Sequence, residues 1–145
     1  MQESTLWAVS SVAGLTVLGA AGGAAVVLTD NFTPAAFAAM MFAGMFLACG
    51  FAMQLYRRGH DYATLVGGLA GFLATFAFFA TPVGIDLARG QSFPPLDLAM
   101  LLVVPALVAG SLSAGGTLFL MRGVRRYRAK NGLIHAPQGV ERPER

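Results

Sequence analysis

Two histidines, one cysteine and seven carboxylates are the side chains of this 145-residue sequence best suited to proton transfer or metal ligation. Their spacing gives them little to do together. His60 stands in a short polar stretch and His135 near the C-terminus. No apolar run therefore offers an imidazole to a buried haem or chlorophyll-type pigment. Between Arg58 and Asp61, His60 reads as a solvated interfacial group. Cys49 is alone in an apolar run, so it forms neither an internal disulfide nor a thiolate metal site and reads as a small packing residue. Asp30, Asp86 and Asp97 border the apolar runs without interrupting them, and Gln54 lies near the end of one. Gly-x-Ser-x-Gly, His-Glu-x-x-His and phosphate-cradling glycine loops are missing. Asn31-Phe32-Thr33 has the form of a glycosylation acceptor, but it sits too close to a helix end and is a chance match. The expected catalytic, cofactor-binding and metal residues are none, and the chain is not expected to be an enzyme.

The elements that hold these residues follow from composition. With 56% hydrophobic and 12% charged residues, a chain this short cannot hide its apolar surface from water. The same numbers exclude disorder over most of its length, and a single cysteine excludes a disulfide scaffold. Long uncharged runs predict four transmembrane helices at about 6–29, 35–56, 62–82 and 98–121. Each is near the ~20 residues that span a ~30 Å hydrocarbon core. Lipid offers the backbone no partners, so the runs must be helical, and Phe37 to Leu47 lacks the alternation of a barrel strand. The first run lacks the positive flank of a signal peptide and reads as a retained anchor.

Punctuation agrees with four spans. Thr33-Pro34 reads as an N-cap followed by proline in the first turn. Gly59 is placed to close the second helix and Asp61 to cap the third, with Pro82 limiting it. Pro105 frees the carbonyl of Leu101 and should kink the fourth helix. Residues 1–130 form the transmembrane domain, and 131–145 form a polar C-terminal tail unable to build a core.

Charge sets orientation. Arg57, Arg58, Arg122, Arg125, Arg126, Arg128 and Lys130 fall on the side of both termini, whereas Arg89 is the one basic residue in the opposite loops. The positive-inside bias predicts an all-α membrane protein with N-in/C-in topology and a basic cytoplasmic C-terminal tail. The residues Arg122, Arg125, Arg126, Arg128 and Lys130 are expected to meet anionic lipids at the cytoplasmic face or a partner, and not nucleic acid. Nine arginines against one lysine, with abundant alanine and glycine, point to a bacterial inner membrane.

No span carries an ionisable group in its middle, so proton-coupled transport lacks its usual midplane group. What the spans do carry is small residues four apart: Gly19 and Gly23, Gly44 and Ala48, Gly67 and Gly71, Gly110 and Ala114. Such notches let helices approach closely, within the bundle or against another subunit. No cofactor is expected, although Phe and Met residues of the second and third helices leave room for a lipid, quinone or carotenoid. The favoured reading is a non-catalytic accessory subunit of a larger inner-membrane complex, energy-transducing for instance, acting through helix packing and tail contacts with other membrane subunits. The competing reading is a homo-oligomeric channel or permease for an uncharged solute, with Ser111, Ser113, Thr117, Thr75 and Gln54 as its lining.

Overall fold

The computed structural model describes residues 3–30, 33–60 and 62–130. It contains four helices: α1 Glu3–Thr29, α2 Pro34–Arg57, α3 Ala63–Ala88 and α4 Pro95–Lys130. All four are long and apolar enough to cross a membrane. The expected cap at Asp61, His135 and the tail 131–145 lie outside the described residues, as do Asn31 and Phe32.

Local chemistry sets the ends. Thr33 is extended and caps α2, its hydroxyl accepting from the Ala36 amide at 3.3 Å, with Pro34 in the first turn. Gly59, at φ +85°, closes α2 in the left-handed region. The His60 amide returns to the Leu55 carbonyl at 3.2 Å, and the Gly59 amide to Tyr56 at 2.9 Å, which satisfies the last turn. Gly90 does the same for α3, with the Gln91 amide on Asp86 and the Gly90 amide on Leu87, both at 3.0 Å.

Two boundaries differ from the sequence reading. The third helix does not stop at Pro82; it runs to Ala88. Proline there removes only the bond to the Phe78 carbonyl, a loss that membrane helices tolerate, and the stop signal is Gly90. The fourth helix starts at Pro95 and continues past Met121 through the basic run to Lys130. Between Arg122 and Lys130 the sequence holds no proline and one glycine, Gly123, so nothing breaks the backbone ladder there. With 36 residues, α4 is about 54 Å long, so its last third extends beyond one bilayer thickness.

The bundle is organised around α3. It packs against α1, α2 and α4, whereas α1 and α4 do not meet among the described residues. Small residues make the two largest contacts possible. On the α1 side, Gly19 lies against the Ala74 backbone, and Gly23 against the Phe78 carbonyl and the Pro82 ring. On the α4 side, a methyl group at Gly67 would lie 2.7 Å from Thr117 Oγ1, and one at Gly110 would lie 3.0 Å from the Gly68 carbonyl. In lipid such contact is held by dispersion, because exclusion of water gives no preference for helix over acyl chain. The carbonyl that Pro82 leaves without an amide is therefore the one Gly23 covers.

Candidate functional site

Three features were followed from sequence to structure: the ionisable groups, the small-residue notches and the polar side chains inside the helices. The ionisable groups stay at helix ends. His60 stacks on Tyr62 at 5.1 Å between ring centroids, and Asp86 faces Arg89 across one turn at 3.6 Å. Asp97 is exposed in the first turn of α4, and Gln54 is exposed on α2. Among the described residues no three His, Cys, Asp or Glu side chains gather.

At the end of the bundle that carries the basic residues, aromatic rings hold two arginines. Trp7 meets Phe51 edge-on at 5.7 Å, and the Arg58 guanidinium lies 5.0 Å above the Trp7 ring. Arg125 donates to the Tyr56 hydroxyl at 2.9 Å and also lies over that ring. Sequence reading assigned Arg125 to lipid or partner contact and used Arg58 only to set orientation; the aromatic residues Trp7 and Tyr56 were the signal it passed over. Arg122, Arg126, Arg128 and Lys130 are exposed on the projecting part of α4.

The notch residues divide into two groups. Gly19, Gly23, Gly67, Gly71 and Gly110 lie in helix contacts, Gly71 against Ser113 and the Ala109 carbonyl. Ala48 is fully buried, and Ala114 is half-buried with its Cβ facing Gly68. Gly44 departs from the expectation: nothing lies within 4 Å of where its Cβ would be. The reason is a cavity. At this level α2 stands off from α1 and α3, and the space between them is lined instead of filled.

The polar side chains of the described residues lie in different places. Ser113 and Thr117 are fully buried between α3 and α4. The Ser113 carbonyl accepts from Thr117 Oγ1 at 2.8 Å and from Cys49 Sγ at 3.3 Å, while Ser113 Oγ has no partner. Ser111 is exposed on an outer groove between α3 and α4, beside Leu107 and Phe72. Thr75 instead lines the cavity between α1, α2 and α3, whose volume is about 190 Å³ and whose other walls include Leu15, Met40, Met41 and Phe78. Met40 and Met41 belong to the Phe and Met residues for which the sequence left a bound lipid, quinone or carotenoid open, but hydropathy does not distinguish a cavity wall from a lipid face and could not single them out.

Comparison with protein-family models, with curated proteins and with solved structures returned no match.

Proposed function

We propose that this chain is a non-catalytic accessory subunit of a larger bacterial inner-membrane complex, with both termini cytoplasmic, that braces neighbouring membrane helices through close packing. The observation that carries the reading is the set of exposed glycines. Gly14, Gly50 and Gly115 each face open space with nothing within 4 Å, on α1, α2 and α4 respectively. Toward lipid a glycine contributes little contact and weakens its helix, whereas toward another helix it permits close approach. Ala39 and Ala43 extend the open face of α2 toward Gly50, and Ser111 extends that of α4 toward Gly115. Basic residues at the ends of α2 and α4 support cytoplasmic termini and contact with anionic lipid. For the channel reading, Ser113 and Thr117 are sealed against Gly71 and Gly67, and Gln54 and Ser111 face outward on different helices.

The test is affinity purification of the tagged full chain in a mild detergent, with the mass of the intact particle measured. Stoichiometric co-purification of other membrane subunits is expected, and Gly50→Leu and Gly115→Leu should reduce it while leaving the chain itself folded. A homogeneous self-oligomer that passes a small uncharged solute across liposomes refutes the accessory reading.

A further inference from the structure

Threonine and serine hydroxyls inside helices ordinarily donate to the carbonyl four residues back. Here Ser11, Thr16, Thr29, Thr81 and Thr117 all do so, at 2.7–2.8 Å. Thr75 does not. It is only 6% exposed, and its hydroxyl makes no hydrogen bond among the described residues. It lines the cavity between α1, α2 and α3. An unmade hydrogen bond in an apolar setting is costly, and the cavity is the space from which a partner can come.

The position of the cavity restricts that partner. Thr75 is near the middle of the 26-residue α3, and Leu15 and Gly44 are near the middles of α1 and α2. Thr75 is thus roughly 18 Å along its helix axis from either end. A phospholipid ester, anchored at the bilayer surface, does not reach this depth. The polar atom must arrive on a neutral molecule dissolved in the hydrocarbon. A volume of about 190 Å³ suits one substituted six-membered ring; a cavity of ~150 Å³ accepts benzene. The walls suit a planar ring as well: Met40 and Met41 bring polarisable thioethers, and Phe78 brings an aromatic ring. The partly exposed side, at Leu18, Met40 and Leu47, leaves an apolar tail free to run out among the acyl chains.

We propose that the cavity binds one membrane-soluble quinone, whose ring occupies the space between α1, α2 and α3 and whose carbonyl oxygen accepts a hydrogen bond from Thr75. The interaction is binding alone: among the described residues, no proton donor or redox group beside Thr75 lines this cavity.

The experiment uses the delipidated full chain in detergent micelles and equilibrium dialysis of decylbenzoquinone against micelles of matched concentration. Saturable binding of one molecule per chain is expected. Thr75→Val, which keeps the shape and removes the hydroxyl, should weaken it about fivefold, the value of one ordinary hydrogen bond. Thr75→Ser should bind within about twofold of the original chain. Gly44→Phe, placed where no atom lies within 4 Å, should fill the space and abolish binding without displacing backbone. Decylbenzene, which lacks the oxygens, should bind more weakly than the quinone and with no difference between the original chain and Thr75→Val. No saturable quinone binding, binding unchanged in Thr75→Val or in Gly44→Phe, or decylbenzene binding as tightly as the quinone would each overturn the proposal.

Discussion

Replacing Gly19 by alanine tests the contact on which the bundle depends most. The added methyl group would run into the Ala74 carbonyl, with the carbonyl carbon at 2.9 Å and Ala74 Cα at 3.1 Å. Ordinary contact begins near 3.4 Å, and the obstacle is helix backbone, which cannot swing aside. Helix α1 must therefore retreat from α3 by at least about half an ångström. A gap of 0.5–1 Å forfeits about a quarter to a half of each dispersion contact, and overpacking of this kind costs about 1–3 kcal/mol. Gly14→Ala makes the same chemical change where nothing lies within 4 Å, so it should stay within about 0.5 kcal/mol of the original chain. Gly23 meets the next carbonyl along the same interface, at Phe78. Once α1 has moved for one methyl group it has largely moved for both, so Gly19→Ala/Gly23→Ala should cost less than the two single losses added. Reversible unfolding in mixed detergent micelles, followed by far-ultraviolet circular dichroism and by Trp7 fluorescence, measures the original chain, the three single variants and the double variant. If Gly19→Ala proves as stable as Gly14→Ala, close approach of α1 to α3 is not what holds the first helix in place.

Other outcomes follow from the same geometry. Gly71→Ala should destabilise by about 1–3 kcal/mol because its methyl group meets Ser113, and adding Ser113→Gly should recover most of that loss in the same unfolding assay. Ser113→Ala alone removes a buried hydroxyl without a partner and should leave stability unchanged or raise it by up to about 1 kcal/mol. In a Cys49→Ala background, Ser92→Cys should react with an impermeant thiol reagent added outside intact cells, and Lys130→Cys only after permeabilisation; the reverse pattern would invert the proposed topology. Changing Arg122, Arg126, Arg128 and Lys130 together to glutamine should lower the number of anionic lipids retained per chain in native mass spectra, at about 1 kcal/mol per charge, and added salt should diminish the difference.

The existence of four membrane-length helices was legible because each depends on a run of residues without charge, and uncharged runs are visible without knowing any contact. The ends were less so. Pro82 looks like a stop, yet the helix passes through it, because it costs one amide bond, a loss that helices in membranes tolerate. Gly90, eight residues beyond Pro82, carries the stop in its backbone angle and not in its hydropathy. The basic run after Met121 was read as tail because charge was equated with the end of a span, whereas helix and span are different lengths in α4. Small-residue spacing could not tell Gly19 from Gly44: both fit the same pattern, and only the placement of α2 decides that one meets backbone and the other faces a cavity. Thr75 could be named from sequence as polar and intramembrane, but its lack of a partner depends on side-chain orientation, which no spacing encodes.

The central position of α3 also orders the birth of the protein. The first two helices leave the ribosome as a pair that touches only sparingly, and the surface α1 needs has yet to be translated. Some 59 residues separate Gly19 from Phe78, so at 5–20 residues per second the first helix waits about 3–12 s for its mate. During that interval its notched flank is open to whichever neighbour the insertion machinery supplies, and slowing synthesis across the second loop would lengthen the exposure.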